Sequence, residues 1–173
     1  MGGADKGWIE YRGTPLIQHA VQRLQPQVDE MLISANRNLA RYRSLGVPAL
    51  PDDPVNGEFA GPLAGILVGL RSAHSPWLAV TPCDAPNVPE DLVRRLQRGV
   101  EGGGAAVAHA NGQIQPLFCL LHQDLLPSLA AFLARDQRKV ALWLDQVNAT
   151  HVPFEDARAF INVNSPSEVP DAR

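Results

Sequence analysis

Asp84 lies where an α/β protein commonly builds its ligand site. It ends the tripeptide Pro82-Cys83-Asp84, which follows the predicted strand 77–81, so it lies at the carboxyl end of that strand. A carboxylate in that place can hold Mg²⁺, which prefers oxygen ligands and often shares them with substrate phosphates. An Asp shortly before a proline is also ordinary turn chemistry, so position alone leaves both interpretations open.

Asp52 and Asp53 lie just past a second short predicted strand. One of them could bind a ribose hydroxyl or add a further oxygen ligand to the metal. Because Asp favours turns and helix caps, the pair is also compatible with a simple surface loop. The spacing does not decide between these two interpretations.

Lysine and asparagine side chains offer the complementary groups. Lys6 lies in a glycine-rich start, where an ammonium beside backbone N–H groups suits a phosphate, although an exposed Lys is usually only solvated. Asn36 follows the predicted strand 31–35, and its amide can read a base edge or close a turn. Asn162 and Asn164 are two residues apart, so alternation places both on one face, for phosphate, metal or loop hydrogen bonds.

The elements that position these residues alternate between strand and helix. This alternation predicts an α/β fold, a mainly parallel sheet with helices on both faces, whose ligands bind beyond the carboxyl ends of the strands. No repeat or linker interrupts the pattern, so residues 1–173 are predicted to form a single domain. The predicted helices begin near Thr14-Pro15, Asn38, Pro62 and Pro89, with later segments at 129–133 and 140–144; the predicted strands are 31–35, 47–50, 77–81, 105–108, 117–121 and 151–154.

Composition argues against several classes of protein. The chain has 173 residues, a net charge of -3 and no basic block, which disfavours nucleic-acid binding through a broad cationic face. No apolar run approaches the roughly 20 residues that span a bilayer, and no signal-peptide core precedes the first predicted helix. Two distant cysteines, Cys83 and Cys119, favour neither a disulfide scaffold nor a zinc site. We therefore expect a cytoplasmic protein.

Eight short segments, taken in order, follow the pattern of one enzyme family. Two of them, Pro82-Cys83-Asp84 and 162–166, are quite specific, whereas Gly61–Gly65 is shared with related nucleotidyltransferases. The segments are 1–7, 13–16, 34–37, Asp52, 61–65, 81–86, 115–117 and 162–168. The series resembles molybdenum cofactor guanylyltransferase, often called MobA, from Met1 to about Glu168.

The resemblance implies a Rossmann-like nucleotidyltransferase domain and a defined reaction. GMP would pass from Mg-GTP to the phosphate of molybdopterin, the organic part of the molybdenum cofactor, and pyrophosphate would leave. The implied partners are GTP, molybdopterin, and molybdoenzymes or their chaperones; the implied cofactor is Mg²⁺. In this family's pattern Lys6 contacts the GTP phosphates, Asn36 and Asp52 lie in the nucleotide site, Asp84 holds Mg²⁺, and Asn162 and Asn164 lie toward the pterin.

The chain departs from the family pattern at two places. Family members carry an apolar strand and a Leu-Ala-Gly-Gly loop ahead of the Met-Gly-Gly that begins here, so we expect the natural protein to be longer. Gln115 stands where relatives often carry His, a change that keeps a hydrogen-bonding side chain.

Two alternatives stay open from the sequence. One is the same fold using CTP on molybdopterin. The other is a non-catalytic remnant that binds molybdopterin or a partner enzyme, favoured by the missing loop. A non-catalytic remnant has no physical need for the site residues. The presence of Lys6, Asp52 and Asp84 therefore counts against this alternative.

Overall fold

The computed structural model describes residues 5–52, 61–100 and 103–163. Within these ranges the helices are α1 (Leu16–Leu24), α2 (Leu39–Arg43), α3 (Pro62–Ser72), α4 (Leu92–Gly99), α5 (Leu126–Ala134) and α6 (Val140–Gln146). The strands are β1 (Glu10–Tyr11), β2 (Thr14–Pro15), β3 (Ile33–Ser34), β4 (Ala49–Leu50), β5 (Trp77–Val80), β6 (Ala105–Ala110), β7 (Gln113–His122) and β8 (Thr150–Pro153). Short 3-10 turns lie at Lys6–Trp8, Gln25–Gln27, Gln123–Leu125 and Ala157–Phe160.

The largest sheet has four strands in the order β5-β7-β6-β8. β7 is antiparallel to both of its neighbours, while β6 and β8 are parallel. The α/β class is thus confirmed, but the sheet is mixed rather than mainly parallel. The cause is the two-residue connection between β6 and β7: Asn111 and Gly112 both have positive φ, as a tight hairpin turn requires.

Helices cover both faces of this sheet, as the sequence predicts. Val107 and Cys119 face the core cluster that contains buried residues of α3, α5 and α6. Their strand neighbours Ala108 and Leu120 face the opposite cluster, which holds buried residues of α4 and the aromatic rings that follow β8. The alternation follows from the two-residue period of a strand and gives the sheet two apolar faces.

A second, parallel sheet pairs β3 with β4. Within the described ranges it shares no strand pairing with the four-stranded sheet. Helix α3 contacts both β3 and β5, so the two sheets are joined through packing on one helix. The expectation of a further strand ahead of Met1 stays a prediction.

Two of the predicted helix starts are displaced. Thr14 does not cap α1; it pairs with Tyr11 in a small hairpin whose turn residues, Arg12 and Gly13, have positive φ. Pro89 lies ahead of α4, which begins at Leu92. In both cases the residue type is common at helix starts, but the residue belongs to the turn or strand that precedes the helix.

β7 contains an irregularity opposite the middle of β6. Val107 is opposite Cys119, whereas the next residue, Ala108, is opposite Gln115, so residues 116–118 bulge out of register. Pro116 lies inside the bulge, where its missing N–H costs no ladder hydrogen bond.

No helix in the described part of the chain combines the length and apolar character needed to cross a bilayer.

Candidate active site

Asp84 is the one charged residue that is buried among the described residues, at 7% exposure. It lies just past the carboxyl end of β5, between Cys83, which packs on the apolar cluster of the small sheet, and Ala85, which is fully buried in the core under α4. Burial raises the pKa of Asp84, and the nearby Lys6 and a backbone hydrogen bond act in the opposite direction. The fold therefore holds a desolvated carboxylate that a cation would stabilise.

Lys6 supplies one such cation. Its Nζ lies 3.8 Å from Oδ2 of Asp84, and its side chain is about half exposed while that of Asp84 is mostly covered. The chain reaches this point on a 3-10 turn, far from Asp84 in sequence, so only the tertiary fold brings the pair together. An ammonium facing solvent beside a carboxylate can contact an incoming phosphate without losing its partner.

A second polar cluster lies at the carboxyl ends of β3 and β4. Asn36 Nδ2 donates to Oδ2 of Asp52 at 2.9 Å, and the Asp52 backbone N–H donates to Oδ1 of Asn36 at 2.9 Å. Ser34 Oγ donates to the other Asp52 oxygen. The amide and the carboxylate thus hold one another in place. Asn36 is exposed and Asp52 partly so, and their remaining hydrogen-bonding capacity could bind a sugar hydroxyl or a base edge.

Close helix packing shapes this second cluster. A Cβ on Gly65 would lie 2.7 Å from Ser34 Oγ and 3.4 Å from Oδ1 of Asp52, so only glycine lets α3 approach. Gly61 precedes the helix with φ 62° and ψ -149°, a backbone region open to glycine. The Gly61–Gly65 segment is therefore needed both to start α3 and to bring it against Asp52.

The last described segment returns to the Asp84 loop. The Val163 backbone N–H donates to the Asp84 carbonyl oxygen at 2.9 Å, and the Val163 side chain is buried with Tyr11 and Leu16. Asn162 is exposed beside this contact. Asn164 lies outside the described residues, so its predicted place on the pterin side stays a prediction.

The two clusters have a common apolar base. Ala35, which lies between Ser34 and Asn36, and Cys83, which precedes Asp84, both pack on the cluster formed by Ile17, Ile33, Tyr42 and Ala49. Through this base the fold places Lys6 and Asp84 on one side, and Asn36 and Asp52 on the other. The roles predicted for these residues are compatible with this arrangement.

The cysteines show no activated thiolate. Burial, followed by the nearby Asp84 and Asp5 carboxylates, raises the pKa of Cys83 to about 11. Cys119 is fully buried, and burial raises its pKa to about 12. Both shifts favour the neutral thiol, so neither side chain is suited to nucleophilic catalysis near neutral pH.

Metal binding would depend on Asp84 together with a ligand's own oxygens. Within the described residues no three His, Cys, Asp or Glu side chains cluster as a complete metal cage does. Mg²⁺ commonly binds through one or two carboxylates plus substrate phosphates, and a buried carboxylate beside a half-exposed lysine fits that pattern.

Sequence reasoning assigned no role to Ser34 or Asp5. Ser34 is two residues before Asn36 in an extended segment, so the strand period could have placed both side chains on one side. Asp5 contacts α2, and no local sequence signal indicates that contact.

Solved structures share this fold. Molybdopterin-guanine dinucleotide biosynthesis protein A from Archaeoglobus fulgidus superposes with a TM-score of 0.73 at 18% identity, covering 95% of this chain and 87% of that one. The 2-C-methyl-D-erythritol 4-phosphate cytidylyltransferase from Thermus thermophilus gives a TM-score of 0.70 at 17% identity, covering 95% and 90%. The fold is that of the nucleotidyltransferases.

Sequence comparison gives the family. A family model described as MobA-like NTP transferase domain matches residues 1–150. A molybdenum cofactor guanylyltransferase from Bordetella petrii is 46% identical over 175 residues, which cover 98% of this chain and 88% of that protein. The chain belongs to the MobA-like NTP transferase family, and the resemblance read from its motifs is confirmed.

Proposed function

We propose that this protein transfers GMP from Mg-GTP to the terminal phosphate of molybdopterin and releases pyrophosphate. Relatives named molybdenum cofactor guanylyltransferase, 43–46% identical over nearly the whole chain, support the choice of reaction. The observation that carries it in the structure is the Lys6–Asp84 pair at the edge of the sheet.

The reaction needs little covalent chemistry from the protein. An oxygen of the molybdopterin phosphate attacks the α-phosphorus of GTP, a new P–O bond forms, and the bond to the β-phosphate breaks. The attacking group is already an anion, so no activated Ser or Cys is required, in agreement with the raised pKa values of Cys83 and Cys119. Positioning and charge neutralisation then account for most of the catalysis.

Each predicted site residue has one task in this proposal. Lys6 would bind the phosphates of GTP, and Asp84 would hold Mg²⁺, which supplies charge neutralisation at the phosphates when bound. Asn36 and Asp52 would bind the guanosine part. Asn162, beside the Asp84 loop, would face the molybdopterin.

The remaining partners follow from the reaction. The product is a dinucleotide cofactor, so molybdoenzymes or their chaperones would receive it. We place this activity in the cytoplasm, where GTP is available and where two unpaired cysteines stay reduced.

The test is a direct assay with purified molybdopterin, Mg²⁺ and either GTP or CTP. We expect pyrophosphate and a guanine dinucleotide with GTP, detected by coupled assay and mass spectrometry. Asp84→Asn should lower kcat/KM about a hundredfold or more, since it removes the carboxylate that would hold Mg²⁺, the ion that neutralises charge at the phosphates. Asp145→Asn, an exposed residue on α6, is the matched control and should leave the rate unchanged.

Three results would contradict the proposal. Faster transfer from CTP would identify a cytidylyltransferase. Binding of molybdopterin without product from either nucleotide would identify a non-catalytic binding protein. An Asp84→Asn variant with full activity would remove Asp84 from the site.

A further inference from the structure

The segment that carries Lys6 is attached to helix α2 by two hydrogen bonds to Asp5, of which the one from Tyr42 is partly buried and the one from Asn38 is exposed. The Tyr42 hydroxyl donates to Oδ1 of Asp5 at 2.5 Å, and Asn38 Nδ2 donates to Oδ2 of Asp5 at 2.9 Å. Asn38 precedes α2 in the left-handed conformation and its amide caps no helix N–H, so it is directed at Asp5 instead. Each oxygen of the Asp5 carboxylate thus receives one donor, from Asn38 just before α2 and from Tyr42 within it.

Packing on the other side of Lys6 strengthens this attachment. The Trp8 ring lies 5.2 Å from the Tyr42 ring, and the Arg41 guanidinium lies 3.8 Å from the centre of the Trp8 ring. A Cβ on Gly7 would lie 2.6 Å from the Tyr42 hydroxyl oxygen, so glycine is required where the chain passes over that hydroxyl. Residues 5, 7 and 8 all contact α2 or the residue before it, whereas Lys6 is exposed and its ammonium lies 3.8 Å from the Asp84 carboxylate.

Tyr42 has a clear physical need for this contact. It is 3% exposed, and a buried phenol hydroxyl without a partner is costly. Burial and the hydrogen bond to Asp5 both raise the pKa of Tyr42, so it stays a neutral donor. Lysine, in contrast, has a flexible four-carbon stem, so the fold can fix its ammonium only by fixing its backbone.

We propose that Tyr42 and Asp5 are positioning residues for Lys6: their hydrogen bond holds the backbone of residues 5–8 on α2 so that the ammonium faces Asp84 and the nucleotide phosphates. This inference rests on the proposed function for its ligand. Helix α2 supplies no predicted ligand contact. In this proposal it nevertheless affects phosphate binding, because it fixes the position of the segment that carries Lys6.

A double-mutant cycle tests the coupling. Tyr42→Phe keeps the ring and removes only the donor, and Lys6→Met removes the ammonium. By calorimetry we expect Tyr42→Phe to raise the Kd of Mg-GTP about tenfold, the loss expected for one hydrogen bond to a charged group. In the Lys6→Met background the same substitution should change the Kd less than twofold. Tyr11→Phe, at the other buried tyrosine, is the matched control and should leave the Kd unchanged.

The cycle separates positioning from general destabilisation. A tenfold loss from Tyr42→Phe in both backgrounds would mean that Tyr42 acts without Lys6, and would overturn the proposal. Guanosine, which lacks phosphates, should bind equally well to the native protein and to Tyr42→Phe; a weaker affinity in the variant would also count against it.

A second measurement does not depend on nucleotide. The Trp8 N–H donates to the Asp5 carbonyl at 3.0 Å and the Ile9 N–H to the Lys6 carbonyl at 3.1 Å. Hydrogen exchange of residues 5–9 should be about tenfold faster in Tyr42→Phe, with core strands unchanged. Unchanged exchange would refute the anchoring whether or not GTP binds. Faster exchange in a chain that fails to bind Mg-GTP would leave the anchoring intact and refute the proposed function.

Discussion

Burial of the Asp84 carboxylate lowers the stability of the folded protein. Its carboxylate is buried at the end of β5 with a half-exposed lysine as neighbour, and burial outweighs that neighbour in setting its pKa. A side chain chosen for stability alone at this position would be apolar or neutral. Retention of a charge there is what a cation-binding role would require.

Because of this cost, we expect Asp84→Asn to raise the free energy of unfolding by an amount that depends on pH. A folded-state pKa above the unfolded one means that stability is highest when Asp84 is protonated and falls as pH rises through the folded pKa. In EDTA, Asp84→Asn should therefore have a higher free energy of unfolding than the native protein at pH 7.5, and the difference should shrink toward pH 3.5. Urea unfolding at both pH values measures it. An Asp84→Asn variant less stable than the native protein at pH 7.5 would contradict the claim that burial destabilises the charged carboxylate.

Gly65 lies where helix α3 comes close to Ser34 and Asp52. Alanine in a helix interior is normally favourable by about 1 kcal/mol, but here its Cβ would collide with Ser34 Oγ. We expect Gly65→Ala to raise the Kd of Mg-GTP about tenfold, because it displaces the Ser34–Asp52 hydrogen bond. Gly69→Ala on the same helix meets the tip of Leu78 at 2.9 Å and is the control. Equal Kd values for the two variants would remove Asp52 from the nucleotide site.

Among the secondary-structure elements, helices α2 and α3 hold the site residues in position. α3 packs on one face of the main sheet through residues such as Leu63 and Leu67, and its Gly65 lies against Ser34 and Asp52. α2 is only five residues long, too short to be stable alone, and is held by tertiary contacts such as those of Tyr42. The site thus depends on packing between elements more than on any element by itself.

α6 offers a direct test of which face supports the core. Leu144 is 1% exposed in the cluster under the sheet, while Leu142, two residues earlier, is 53% exposed. Leu144→Ala should lower the free energy of unfolding by about 2–5 kcal/mol, and Leu142→Ala should change it by less than about 0.5 kcal/mol. Guanidinium unfolding of both variants measures the difference. Equal losses would place α6 in another orientation.

At the scale of the whole molecule, the site joins the two sheets. Lys6 and Asp84 lie beside the main sheet, Asn36 and Asp52 lie on the small one, and the shared base contains residues from both sides. In the described part of the chain no strand pairing links the sheets. A ligand that contacts both clusters would therefore add a connection between them.

Mg-GTP should accordingly stabilise the fold. At a free concentration one hundred times its Kd, a ligand specific for the folded state adds about 2.7 kcal/mol, which corresponds to a rise in Tm of about 5–10 °C for a chain of this length. Scanning fluorimetry with Mg-GTP measures the shift, with Mg-CTP as the comparison. A larger shift with CTP, or none with GTP, would contradict the nucleotide assignment.

The sequence by itself predicted the α/β class, the helices on both sheet faces and the family; it also named most residues of the candidate site, whose roles stay predictions. Its apolar period is strong in α3, a helix of 11 residues, and the Pro82-Cys83-Asp84 segment is specific. It also held an unused signal, since Asn111-Gly112 between apolar runs is typical of a hairpin and would have predicted the antiparallel β7.

Only the tertiary structure decided how these residues meet. The Lys6–Asp84 pair, the Ser34–Asp52 hydrogen bond and the attachment of Asp5 to Tyr42 join residues 18 to 78 positions apart. No periodicity or local propensity encodes such distances, because they arise when separate elements pack on a common core. The burial that raises the pKa of Asp84 has the same origin, since desolvation exists only once the surrounding chain has folded.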